Sequence, residues 1–86
     1  MGVSMENELQ GLRTLAQYRE GREHIFPIPT SLEWTCRRLR AELVREGALL
    51  VINGRRMADP PVFDAVILNA ARRAAQAAMA DEDGAS

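Results

Sequence analysis

The sequence predicts a mainly α-helical domain carrying a two-stranded β-hairpin, the layout of a winged helix-turn-helix. Three observations lead there. Residues 30 to 46 read as a capped helix with an arginine-bearing face. Ala48 to Ile52, Asn53-Gly54 and Arg55 to Ala58 read as an apolar strand, a tight turn and a returning strand. Arginines stand just past that turn, so a basic helix is followed at once by a basic ribbon.

From Met5 to about Arg19, Leu9, Leu12, Leu15 and Ala16 recur at helical spacing. One amphipathic helix accounts for this, interrupted by Gly11 at a cost of about 1 kcal/mol relative to alanine. Alternatively Thr14 caps a shorter helix that begins at Leu15, with Met5 to Gln10 as a separate or loosely joined turn. Residues 1 to 4 are expected to fray, and Gly21 ends the segment.

Residues 22 to 29 cannot be helical, because Pro27 and Pro29 each hold their preceding residue extended. Ile25, Phe26 and Ile28 are expected to pin this connector to the core, with His24 as a solvated loop residue. The next helix is capped by Thr30 or Ser31, and Glu33 follows Thr30 at capping-box spacing. Leu32, Cys36, Leu39 and Leu43 form its buried stripe; Trp34, Arg37, Arg38, Ala41 and Arg45 lie opposite. Charge on an outer helix face often means solvation alone. A tryptophan among those arginines is expected to pack on the hairpin or connector, with stacking under an arginine or a ligand contact as the alternatives. Gly47 stops the helix.

Asn-Gly suits a type I′ turn, which needs positive φ at both central residues. Arg55 and Arg56 are neighbours on the returning strand and so point to opposite faces. Asp59 with Pro60-Pro61 opens the last helix, whose inner stripe is Val62, Val66, Ile67 and Ala70 with Phe63 close by. Past Arg73 the chain is alanine-rich, favouring helix while offering little to bury, so it either extends freely or packs on another copy. Asp81 to Ser86 are expected to be disordered. The chain thus divides into an N-terminal arm (1–12), a winged domain (13–73) and an alanine-rich end with an acidic tail (74–86).

Eighty-six residues allow one small domain with a thin core. One cysteine and one histidine leave no internal disulfide and no Cys/His set for structural zinc. The first twenty residues are polar, so no signal peptide is expected, and no stretch approaches the ~20 apolar residues of a membrane span. A bacterial cytoplasmic protein is the expectation. Neither a glycine-rich phosphate loop nor a catalytic constellation is present, so no cofactor and no enzymatic activity are expected.

Net charge is −1, but its distribution is uneven. Residues 13 to 56 hold nine arginines against five glutamates, which gives that segment +4. Local charge decides whether a phosphate backbone is attracted. All eleven basic residues are arginine, whose planar fork suits bidentate contacts to phosphate and guanine. Codon bias in a GC-rich genome accounts for missing lysines equally well. On this reading the domain binds double-stranded DNA. Arg22, Arg40, Arg45 and one of Arg55 and Arg56 meet phosphates, while Ser31, Arg37 and Arg38 meet bases. Trp34 and the Asn53 turn belong to the same surface. Useful affinity then requires several copies or a dimer on DNA.

Thr14-Leu15-Ala16-Gln17-Tyr18, Ser31-Leu32-Glu33-Trp34, Gly47-Ala48-Leu49, Ile52-Asn53-Gly54-Arg55-Arg56-Met57 and Phe63 together resemble small excisionase-like proteins of phages and integrative elements, in the MerR-type winged-helix group. The resemblance covers roughly residues 14 to 68. It implies that the helix from Ser31 enters the major groove and the Asn53-Gly54 hairpin acts as the wing. It also implies a recombination directionality factor that bends DNA or recruits a recombinase (integrase). A transcriptional regulator of similar fold, working with RNA polymerase, is the alternative. A different class remains open, in which the last helix docks on a protein partner. Glu33 departs from the pattern, since relatives often carry arginine there, and the proline-rich connector is longer than a compact turn.

Overall fold

The computed structural model describes residues 9 to 85, with side chains for 9 to 79; the frayed start expected at residues 1 to 4 lies outside the described residues. The protein is mainly helical with a small three-stranded antiparallel sheet. In chain order the elements are β1 (Arg13–Thr14), α1 (Leu15–Arg19), α2 (Pro29–Arg38), α3 (Arg40–Arg45), β2 (Leu49–Ile52), β3 (Arg55–Ala58) and α4 (Pro60–Ala85). Among the described residues, no helix is long and apolar enough to cross a membrane.

Of the two readings of the first segment, the structure takes the shorter helix. Thr14 accepts from the Gln17 amide at 3.1 Å while the Gln17 side chain accepts from the Thr14 amide at 3.0 Å, a reciprocal capping box. Ahead of that cap, Arg13 and Thr14 pair with Ala58 and Met57. The sheet therefore has three strands rather than the two of the expected hairpin. A two-residue strand carries no periodicity of its own, so only tertiary pairing reveals it.

Neither Thr30 nor Ser31 caps α2. Pro29 starts the helix, with Ile28 as an N-cap that makes no side-chain bond. Proline's fixed φ matches the first turn, and its missing N–H would lack a helical partner anyway. The expected single helix is also interrupted at Leu39 (φ −106°, ψ 18°), which separates α2 from α3. One turn upstream, the Thr35 hydroxyl donates to the Ser31 carbonyl, a back-bond that bends helices. Gly47, at φ +78°, closes α3: its amide bonds the Val44 carbonyl, and the Ala48 amide bonds that of Leu43. This is a Schellman ending, with Ala48 and Leu43 both fully buried.

Asn53 and Gly54 have φ of 53° and 75°, as a type I′ turn demands. Ile52 faces Arg55 and Leu49 faces Ala58, and the Asp59 amide reaches the Ala48 carbonyl to complete the ladder. β3 is the central strand, and β2 forms an edge.

The core comprises Tyr18, Phe26, Leu32, Cys36, Leu43, Ala48, Ala58, Phe63 and Val66. Phe63 sits at its centre rather than beside it, with its ring 4.4 Å from that of Tyr18. Leu39, expected in the buried stripe, is only partly buried because the bend turns it outward. Of the three apolar connector residues only Phe26 is buried; Ile25 and Ile28 are more than half exposed. The connector is also held by Arg19, which donates to the carbonyls of Phe26 and Pro27 at 2.8 and 2.6 Å. At the other end, α4 carries its helical backbone through Ala85, where disorder was expected from residue 81. Alanine loses no side-chain entropy on becoming helical, which favours helix through the alanine-rich residues 74 to 80; it does not account for the Asp-Glu-Asp-Gly run that follows.

Candidate nucleic-acid interface

α2 and α3 present their outer faces as one surface. Trp34 is 65% exposed on it, which overturns the expectation that this ring packs on the hairpin or connector. The reason is geometric: α2 begins at Pro29, and its buried side is filled by Leu32 and Cys36, leaving Trp34 pointing outward. Arg37 and Arg38, three and four residues further along α2, and Arg40 at the start of α3 are exposed, and none has an acidic partner among the described residues. Arg37, Arg38, Arg40 and Arg45 border one shallow depression floored by Ala41 and Val44. Arg45 lies 3.4 Å from Glu46, with both side chains more than half exposed, so this pair holds it weakly.

A second arrangement is a groove between α2–α3 and the hairpin. Arg37, Arg40 and Arg56 line it together with Glu33, Val44 and Val51. Arg56 donates to Glu33 across the groove at 2.8 Å, and this hydrogen bond is the main reason the guanidinium holds its proton more tightly than usual. Arg55 lies on the opposite face of the ribbon, exposed and without an acidic partner among the described residues. Asn53 lies in the exposed turn just before them.

Two expected site residues lie elsewhere. Arg22 was expected to meet phosphate, but it is committed to the protein's own interior edge. Its Nε and one Nη reach the two carboxylate oxygens of Asp64, both at 2.9 Å, and its guanidinium lies 4.1 Å from the centre of the Tyr18 ring. Tyr18 adds a 2.6 Å hydrogen bond to the same carboxylate. The Arg22 hydrogen bond, followed by that of Tyr18, holds the Asp64 carboxyl below its ordinary range, although partial burial opposes them. Burial first, and then Asp64, push the Tyr18 phenol upward. This bidentate pair joins the connector to α4, and a phosphate would have to displace it. Ser31, in the first turn of α2, is half-buried in a separate groove with Phe26, Thr35 and Arg38.

Cys36 forms part of the groove floor near Glu33 and Arg56, 3% exposed. Burial raises its thiol pKa, and Glu33 adds to the effect, so the thiolate is disfavoured. Among the described residues, no cluster of histidine, cysteine and acidic side chains could hold a metal.

Sequence reasoning did not find the pairing of Glu33 with Arg56, because a contact 23 residues apart depends on how the hairpin folds back over α2. The nearest signal was the glutamate itself, out of pattern on a basic helix. No protein-family model matches the chain, and no curated protein or solved structure matches it at a significant level.

Proposed function

We propose that this chain is a sequence-specific DNA-binding protein that uses α2–α3 as its reading helix and the β2–β3 hairpin as a wing. The observation that carries the reading is that Arg37, Arg38, Arg40 and Arg45 border one depression on α2–α3, the first three with no acid neutralising them among the described residues, while Trp34 stands exposed on the same helix as Arg37 and Arg38. Arginine forks match phosphate and guanine edges, and an exposed indole suits sugar and base contact. Arg45 extends the phosphate-facing border, and Arg56 joins it from the hairpin side once released from Glu33.

Within this class, the excisionase-like resemblance favours a recombination directionality factor that shapes DNA for an integrase; a transcriptional regulator is the alternative. A protein-interaction role has one observation of its own: residues 71 to 79 of α4 are exposed throughout, with Leu68 and Met79 both more than half exposed.

Fluorescence anisotropy with random duplex DNA at two salt concentrations tests the proposal. Binding should weaken steeply with salt, with a log–log slope of about −0.9 per phosphate contacted. Absence of binding at low salt would overturn it, and α4 would become the surface to study.

A further inference from the structure

The groove that holds Ser31 runs between α2 and α4. Ile25 and Leu39 line one wall, and Ile67, Ala70, Ala71 and Ala74 of α4 line the other. Ile25 is more than half exposed, and Ala71 and Ala74 are exposed, so much of this apolar lining meets water. The four α4 residues share one helix face, because they stand three, four and seven positions apart. Past Ala74 the same face continues through Ala78 to position 81, an aspartate followed by glutamate and aspartate. This outer part of α4 keeps its helical backbone through Ala85, while residues 75 to 79 are exposed throughout. So short a helical arm is marginal when nothing packs on it.

We infer that the groove is the seat for the outer part of α4 of a second copy of this chain, the two helices packing antiparallel about a two-fold axis beside Ala74. Each arm then lies in the other copy's groove. Ala78 of the second copy meets Ala70, and its position 81 comes level with Ile67. Alanine on both helices lets their axes approach to about 8 Å, the near end of ordinary helix packing.

Charge selects a second copy over an unrelated helix. Arg38 borders the groove and has no acidic partner among the described residues. The groove therefore suits a helix with a small-residue face that ends in acid, and the run from 81 to 83 gives this chain's own arm that ending. Within one chain the run cannot come back to the groove. Position 81 stands fourteen residues beyond Ile67 on a continuous helix, about 21 Å at 1.5 Å per residue. Only the antiparallel pair returns it to Ile67, on the other copy. The register sets no like charges level: Arg72 meets Gln76, Arg73 meets Ala75 and Asp64 meets Gly84 of the second copy. The inference stands apart from DNA binding and is tested without DNA.

Sedimentation equilibrium of the full chain, from micromolar to sub-millimolar concentration, should show a monomer–dimer equilibrium. Ala74→Arg puts a long charged side chain where the helices approach most closely, and should abolish the dimer. Ala74 is exposed in the single chain, so the thermal melt of the monomer should not change. Asn69→Arg, on a different face of α4, should leave the dimer intact. Asp81→Arg should shift the equilibrium toward monomer, and Arg38→Glu in the same chain should restore the dimer. Amide exchange gives an independent readout: the amides of residues 75 to 81 should gain protection as concentration rises. A chain that stays monomeric throughout, a dimer that survives Ala74→Arg, or one that the paired exchange fails to restore overturns the inference.

Discussion

Glu33 of α2 accepts a 2.8 Å hydrogen bond from Arg56 of β3 and so ties the helix to the hairpin across their shared groove. Both side chains are nearly half exposed, so water and salt screen the pair and its contribution to stability is about 0–1 kcal/mol. Its effect on charge is larger, since it neutralises the hairpin arginine that faces the arginine-rich helix.

Glu33→Gln is therefore expected to tighten binding to random duplex DNA. The log–log salt slope should steepen by about 0.9, the value of one added phosphate contact. The thermal melt should barely move. An unchanged slope would mean that Arg56 does not reach phosphate even when free.

Arg37→Ala and Arg38→Ala should each weaken specific DNA binding, by roughly 1–3 kcal/mol where the lost contact is bidentate to a base. Neither should alter the urea midpoint, because both side chains are exposed and have no acidic partner among the described residues. Wild-type binding by both variants would remove this face from the proposal.

Arg22→Ala should behave in the opposite way. Loss of its charged hydrogen bonds to Asp64 is expected to destabilise the fold by roughly 1–2 kcal/mol, toward the low end for charged hydrogen bonds because the carboxylate is partly exposed. The DNA salt slope of the folded variant should not change. A changed slope would return Arg22 to the DNA-facing surface.

The same cluster sets two pH limits. Asp64 has its folded pKa depressed below the ordinary value of 3.8, so its contribution is present above that value. It is lost as pH falls through the folded pKa. Tyr18 is raised above the ordinary value of 10.0, so its contribution is intact below pH 10 and declines as pH rises toward the folded pKa. Tyr18 is the single tyrosine of the chain. Tyrosinate absorbance during alkaline titration should accordingly appear together with unfolding, as followed by circular dichroism. Ionisation near pH 10 in a still-folded protein would show that the phenol is not buried as described.

Leu43→Ala, at a fully buried site, should cost about 2–5 kcal/mol, and Leu39→Ala distinctly less. Urea denaturation of the two variants compares them directly. Equal losses would imply that α2 and α3 run on as one straight helix with both leucines inside.

Much of the fold could be read from local chemistry. Asn53-Gly54 demanded positive φ at two successive residues, Gly47 ended a helix, and Pro60 opened one, so the hairpin and the start of α4 follow from residues within a turn of each other. The apolar spacing of Leu32, Cys36 and Leu43 likewise announced the buried face of the middle helices. Thr30 misled because its hydroxyl and Glu33 had the spacing of a capping box, while Pro29 could begin the helix without one. Leu39 misled because a helical wheel assumes a straight axis.

Backbone sterics and charge order along the chain fix the turns, the helix stops and the concentration of nine of the eleven arginines within residues 13 to 56. Which arginines are free follows from the folded chain. Arg22 and Arg56 look no different in sequence from Arg37 and Arg38, yet the fold brings Asp64 to the first and Glu33 to the second across 42 and 23 residues. An ion pair depends on distance in space, and composition carries no record of that distance until the chain closes its loops.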